Sequence, residues 1–231
     1  MTAVDVGAAM WPPGTYLHRL TTQARDSLRA MAPRRRAQPG DVLISQGAEE
    51  RHVLLLQAGV AKVTALTAEG VESLLAIRVG GDLIGEMSAL NDLPRSATVT
   101  ACTPLAFSVI RRPQLRAFLE QQPSAALALA GMVADRLRWA NQFRVDFTAY
   151  SAKVRVARVL VKMALAYGRR TPTGLEIGFE LTQSELAGLC GAAEVTVQKS
   201  LRDFRRAGSI VTGYRTVTVI DLDALQRAAE L

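Results

Sequence analysis

Cysteine and histidine are scarce in this chain, acid is short relative to base, and long apolar runs are missing. The two cysteines, Cys102 and Cys190, lie far apart and have no CxxC or CxxxH companion. That excludes a disulfide framework and gives no zinc or iron–sulfur spacing, so buried free thiols are the expectation. No segment reaches the roughly 18 uncharged apolar residues that a membrane span needs. The opening "MTAVDVGAAMWPPGTYLHRL" has no basic stretch before an apolar one, so no signal peptide is expected. The chain is expected to be soluble and cytoplasmic, with no membrane partner. The shortage of acid, 21 Asp and Glu against 28 Lys and Arg, leaves a formal charge of +7, which favours a polyanionic partner such as nucleic acid or an acidic membrane surface.

What is present is enough to fold. The 231 residues are 49% hydrophobic, long enough for one large or two ordinary domains with a real core. Between residues 41 and 110, "DVLISQG", "HVLLLQAGVAKVTAL", "ESLLAIRVGGDLIGE" and "SATVTACTPLAFSVI" read as short strands, with Gly47, Gly59, Gly70, Gly80 and Gly81 at turns. Such close spacing predicts a small antiparallel barrel or roll. The pattern turns helical at "RRPQLRAFLEQQPS". From Pro123 to Phe147, Ala126, Ala130, Val133, Leu137 and Ala140 follow the 3–4 alternation of a coiled-coil seam. A helix of ~25 residues spans about 37 Å, more than a small barrel needs. A core helix is one reading; a dimer seam is the one adopted, with Trp139 and Phe143 expected to pack back on the barrel.

The last third is helical again. Ser151 is placed to cap "AKVRVARVLVKMALAYGRR", and "TPTGLEIGFE" reads as a hairpin linker. Thr182 and Glu185 have the spacing of a capping box, opening a short helix that buries Leu186 and Leu189. Gly191 supplies a turn. The next helix, about Glu194 to Ala207, buries Val197, Leu201 and Phe204 and turns Thr196, Gln198, Lys199 and Arg202 outward; Gly208 ends it. "SIVTGYRTVTVID" then forms a two-stranded wing, and Asp221 caps a last helix. Two helices around a glycine turn make either an ordinary αα-corner or a helix-turn-helix. The wing and the five basic residues against one acid between Thr196 and Arg215 favour DNA, with cations on phosphates and the second helix in the major groove. The candidate DNA-binding residues are Thr182, Ser184, Glu194, Thr196, Gln198, Lys199 and Arg202.

"GEMSALNDLPRSATVTA" sets Gly85, Glu86 and Met87 ten residues ahead of Arg95 and Ser96. Taken alone, Glu86 and Arg95 read as a surface ion pair worth about 0–1 kcal/mol. In a site, a guanidinium fork beside a hydroxyl holds two phosphate oxygens. With Gly85, Leu90, Pro94 and the return through Ala97 and Thr98, the stretch resembles the phosphate-binding cassette of the family of the cyclic AMP receptor protein and FNR regulators, and the likeness runs from about residue 17 to 225. It implies an α+β fold: a jelly-roll-like cyclic-nucleotide-binding β-roll over 1–122, a dimerisation helix and hinge over 123–150, and a winged helix-turn-helix over 151–231.

The resemblance implies that Arg95 and Ser96 hold the cyclic phosphate, with backbone N–H groups at the helix opening near Glu86, and that Glu86 accepts from the ribose 2′-hydroxyl. Arg136 anchors Glu86 or the phosphate. Base contacts of cyclic AMP-sensing relatives align with Ala140 and Asn141, and Ala140 lacks the hydroxyl, so base preference stays open. The recognition helix departs as well: Ala193, Glu194 and Val195 stand where activators of that type carry Ser, Arg and Glu, which argues against their half-site. Without cysteines before Cys102 an iron–sulfur sensor is excluded, and His18 and His52, read as surface or satisfied residues, give no haem ligand set.

The expected function is a homodimeric transcription regulator, not an enzyme, that binds double-stranded DNA, contacts RNA polymerase and responds to a cyclic nucleotide, cyclic AMP first, as effector and without a metal. The alternatives are a regulator of the same family that acts without cyclic AMP or answers another nucleotide such as cyclic di-GMP, and a sensor whose altered recognition helix meets a protein instead.

Overall fold

The computed structural model describes residues 11–231. Two short helices, α1 (Tyr16–Arg19) and α2 (Thr22–Ala30), precede eight strands: β1 (Arg34–Ala37), β2 (Val42–Ile44), β3 (Val53–Ala58), β4 (Val60–Leu66), β5 (Glu72–Val79), β6 (Leu83–Ile84), β7 (Thr98–Ala101) and β8 (Leu105–Ile110), with α3 (Glu86–Asn91) between β6 and β7. They form two antiparallel sheets of four, in the orders β1-β8-β3-β6 and β2-β7-β4-β5. Ile44, Leu54, Leu56, Val99 and Leu105 fill the space between the sheets. The predicted roll is therefore present. β1, α1 and α2 had no reading in the sequence, because "RRRA" looks like solvated charge; pairing with β8, Arg34 opposite Ser108 through Ala37 opposite Leu105, makes it a strand.

α4 (Arg112–Gln121) leads into α5 (Pro123–Ala149), 27 residues long. One face of α5, with Ala125, Leu129 and Met132, is buried with Tyr16, Leu17, Leu28, Leu55 and Phe118. Another face, with Leu127 at 75% and Leu137 at 61% exposure, has no cover among the described residues. Trp139 and Phe143 do not pack on the roll as expected. They stack on each other, centroids 6.2 Å apart, and Phe143 and Phe147 close on Gly191 instead, because α5 runs on past the roll and reaches the C-terminal helices.

α6 (Ala152–Tyr167) is capped by Ser151, whose hydroxyl accepts from the Val154 N–H. α7 (Gln183–Cys190), α8 (Glu194–Arg206) and α9 (Leu222–Ala228) complete the helices. The segment read as a hairpin linker does turn as a hairpin, but one built into a sheet rather than a free connection. β9 (Gly168–Thr171) and β10 (Gly174–Ile177) join the wing strands β11 (Ile210–Gly213) and β12 (Thr216–Val219) in the order β11-β12-β10-β9. Leu175 opposite Val219 gives β10 a partner that sequence alone did not offer.

β5 is the joint between the halves. Leu74, Ile77 and Val79 lie in one apolar cluster with Val156, Leu160, Leu186 and Leu189 of α6 and α7, while alternation along the strand turns Ala76 and Arg78 to the opposite, inner face. Beside this seam Lys62 of β4 pairs with Glu185 of α7. Among the described residues no helix is long and apolar enough to cross a membrane.

Candidate functional site

The cleft lies against the inner face of the sheet β2-β7-β4-β5 and is closed on one side by the β6–α3 turn. Gly85 makes that turn at φ +81°, and a β-carbon there would collide with the Arg95 guanidinium. Only glycine takes this backbone while letting the cation so near. Arg95, 4% exposed, donates Nη1–H to the Gly85 carbonyl (3.0 Å) and the Ser88 hydroxyl (2.6 Å), and Nη2–H to the His52 carbonyl (2.6 Å). Its Nε is buried without a partner, and among the described residues no carboxylate pairs with it. Burial holds Arg95 below its ordinary pKa, and burial followed by the Arg95 charge does the same to His52. A buried cation served only by neutral acceptors, with Nε–H and the second Nη2–H unused among the described residues, has the makings of a seat for an anion.

Glu86 is buried too. Its Oε1 accepts from Arg136 Nη1 at 2.6 Å, and Arg136 Nη2 donates to Asp82 Oδ1 and the Leu83 carbonyl, both at 3.0 Å. Burial alone would lower the Arg136 pKa; the charges of Glu86 and Asp82 outweigh it and the net direction is up. The anchoring expected of Arg136 is thus made to Glu86, so α5 and the cassette are tied by a three-membered charge network. Around the cleft Arg78, Arg95 and Arg136 face Asp82 and Glu86, while Glu50 and Arg51 act on Arg95 with opposite signs and offset each other, which leaves a formal excess of one positive charge.

The cleft brings together Gly85, Glu86, Met87, Arg95, Ser96 and Arg136 of the predicted set. Met87 and Ser96 are at the exposed rim, where the Ser96 hydroxyl touches the Met87 sulfur at 3.8 Å. Asn141 is exposed on α5 and does not line the cleft. Arg78, Ser88 and Asp82 were missed. Ser88 lies inside the motif and Asp82 just before it; Arg78 is reached only through sheet pairing. The cleft is open on one side and small, about 90 Å³, against the several hundred Å³ usual for a small-molecule site, so a ligand larger than one anionic group must extend past the rim.

The second surface lies between the start of α7, the outer face of α8 and the wing. The capping box is formed: the Thr182 hydroxyl accepts from Glu185 N–H (3.1 Å), and the Glu185 carboxylate accepts from Thr182 N–H (2.9 Å). Thr182 is therefore engaged in the cap, while Ser184, Lys199 and Arg202 are exposed and Thr196 is partly so. Gln198 donates to Glu194 at 3.3 Å, so those two base-reading candidates bind each other. Val195 is 75% exposed. Arg205 donates to the Thr212 hydroxyl at 2.9 Å, fixing the wing against α8. Ala193 leaves α8 without a side-chain cap.

Burial pushes the Cys102 thiol up to about 11 and the Cys190 thiol up to about 12, so neither is a nucleophile at neutral pH. Among the described residues no cluster of His, Cys, Asp or Glu has the makings of a metal site.

Comparison with known proteins agrees with both surfaces. Residues 34–122 match the family model described as cyclic nucleotide-binding domain, and residues 154–228 match the Crp-like helix-turn-helix domain. The chain is 30% identical over 190 residues to the CRP-like cAMP-activated global transcriptional regulator of Mycobacterium tuberculosis, covering 82% of this chain and 85% of that one. The chain belongs to the CRP family of transcription regulators. Another member, the cyclic AMP receptor protein of Thermus thermophilus, is 29% identical over 213 residues, covering 92% of this chain and 95% of its own. In fold, a crystal structure of a CRP-family regulator from Thermus thermophilus superposes with a TM-score of 0.72 at 24% identity, over 85% of this chain and 97% of that one. As a CRP-family protein the chain is a DNA-binding, cyclic nucleotide-binding regulator of transcription and not an enzyme.

Proposed function

We propose that the protein is a homodimeric transcription regulator whose effector is a cyclic 3′,5′-mononucleotide, cyclic AMP by the names of its relatives. The observation that carries this reading is the buried, carboxylate-free guanidinium of Arg95 with its orphaned Nε. A cyclic phosphate brings one negative charge and acceptor oxygens, which matches the single uncompensated charge of the cleft. Ser96 at the rim supplies a hydroxyl, and Glu86, held in place by Arg136, offers its second oxygen to a ribose hydroxyl. Because Arg136 sits on α5, a ligand that draws on Glu86 acts on the long helix directly. α5 in turn carries the uncovered stripe of Leu127 and Leu137, for which a second copy is the fitting partner, since the two-fold arrangement places two α8 helices in successive major grooves ~34 Å apart. The proposed division is a roll to residue 122, the helix and hinge over 123–150 and the winged part from 151. RNA polymerase is the expected further partner.

Titration calorimetry with cyclic AMP, light scattering and selection from random double-stranded DNA test the proposal together. The expected results are saturable binding of one nucleotide per chain, a dimer mass, and enrichment of a two-fold symmetric site whose affinity changes when nucleotide is added. No binding of the nucleotide overturns the effector; no enriched sequence overturns the DNA role of α8.

A further inference from the structure

The cleft contains one cation that neither the phosphate nor the acids require. Arg78 lies on the inner face of β5, opposite Ala61 of β4 in register and diagonal to Val63, and both Arg78 and Val63 line the cleft. Its guanidinium donates once, to the neighbouring Ile77 carbonyl at 3.0 Å. Among the described residues it makes no ion pair, because the nearby acids Asp82 and Glu86 are both taken by Arg136. Burial first, and the Arg136 charge second, lower its pKa, as for a cation poorly served by its surroundings.

Charge bookkeeping decides what Arg78 lacks. Once a phosphate neutralises Arg95, the remaining guanidinium groups, Arg78 and Arg136, balance Asp82 and Glu86. A second phosphate would overcharge the cleft. What is missing is a pair of neutral acceptors, held in one plane to match the guanidinium fork. Apolar side chains of Val63, Val99 and Ala97 line the same wall and suit the faces of a flat ring. Guanine has the required edge: N7 and O6 are adjacent acceptors, whereas adenine sets an N6 amino donor beside N7.

We infer that Arg78 reads the base of the bound nucleotide through a guanine-type acceptor pair, so that cyclic GMP competes for this cleft at least as well as cyclic AMP. This rests on the cyclic-nucleotide reading above and adds to it the residue that sets base preference. A bidentate arginine–guanine contact discriminates by roughly tenfold to a hundredfold.

The test is titration calorimetry of cyclic AMP and cyclic GMP against the wild-type protein, Arg78→Leu and Arg78→Lys. The expected result is a ratio of the two dissociation constants that moves at least tenfold toward cyclic AMP in Arg78→Leu, with Arg78→Lys in between because an ammonium lacks the fork. A 7-deaza analogue of cyclic GMP, lacking the N7 acceptor, gives the same information on the wild-type chain alone and is expected to bind about tenfold more weakly than cyclic GMP. If wild type binds both nucleotides but neither the variants nor the analogue shifts the ratio, the role of Arg78 is overturned while the effector reading stands. If wild type binds neither, both fall.

Discussion

Two cationic surfaces in this molecule hold similar charges in opposite ways. In the cleft, Arg95 is buried and Arg136 largely so, their bonds directed to backbone carbonyls, the Ser88 hydroxyl and fixed acids. On the winged part, Lys199, Arg202 and Arg206 are exposed, held only by the helix beneath them. Buried charges act through geometry, at short range and hardly screened; exposed ones act as a field that salt attenuates. Under the proposed function the cleft would select a particular small anion, whereas the basic face of the winged part would attract any polyanion and depend on a few side chains at the start of α8 for sequence. Single changes should be severe in the first region and graded in the second.

The largest effect is expected for Arg95→Ala. Charge-assisted hydrogen bonds contribute about 1.5–3 kcal/mol each, and losing two to the phosphate lowers nucleotide affinity at least 100-fold. The variant also strands the His52 carbonyl and takes one donor each from the Gly85 carbonyl and the Ser88 hydroxyl, which keep their bond to each other, at about 1–3 kcal/mol of stability. Calorimetry and thermal melts read the two costs separately, and Arg95→Lys should recover part of the stability but little of the binding. An affinity loss below tenfold would break the contrast between the regions.

The same contrast explains what the sequence disclosed. The cassette was legible because Gly85 at φ +81° and Arg95 are backbone and charge requirements that leave a residue signature. The helix-turn-helix was legible for the same kind of reason, with a formed capping box at Thr182 and Glu185 and a left-handed Gly191 at φ +56°. Arg78 was hidden because alternation in "ESLLAIRVGG" names two faces without saying which is inner, and the register shift between Val63 and Thr64 displaces the count. β1 was hidden because three arginines mimic a solvated run, and the placement of Phe143 because it depends on a neighbour far along the chain, Gly191.

Between the regions lies the Lys62–Glu185 pair, half in each. Burial raises the Glu185 pKa, but the hydrogen bonds from Lys62 and from the Thr182 backbone outweigh it and the net direction is down; Lys62 moves up, its bond to Glu185 and that charge overcoming burial. A depressed carboxyl stabilises above its ordinary value and loses that contribution as pH falls through the folded value. A raised ammonium stabilises below its ordinary value and loses it as pH rises through the folded one. The contact is therefore at full strength from above the carboxylate range to below the lysine range. Glu185→Ala removes both the pair and the capping partner and should cost about 2 kcal/mol, Lys62→Ala about 1 or less. Melts of both single variants and the double variant across pH 3–8 measure the coupling, which should vanish on the acid side.

On the recognition face, Lys199→Ala should weaken binding to unrelated DNA sequences uniformly, by severalfold at moderate salt, and reduce the slope of log affinity against log salt by about one. Fluorescence anisotropy over a salt series checks this. A loss confined to one selected site, with an unchanged slope, would instead give Lys199 a base contact and bring this surface closer in kind to the cleft.

The smallest effect is expected at Ala193, where α8 begins without a side-chain cap. A serine there has its hydroxyl placed to accept from an N–H of the first turn and adds about 1 kcal/mol; in a chain of this size that raises the melting temperature by about 2–4 °C. The backbone at Ala193 already has the extended φ −67°, ψ 145° that a capping residue adopts, so nothing has to rearrange. Nucleotide affinity should be unchanged, because the cap lies outside the cleft, and DNA affinity should rise slightly as the first turn of α8 is ordered. A change in nucleotide affinity from Ala193→Ser would mean that the start of α8 is coupled to the cleft through the α7–β5 seam, and the two surfaces would then have to be treated as one.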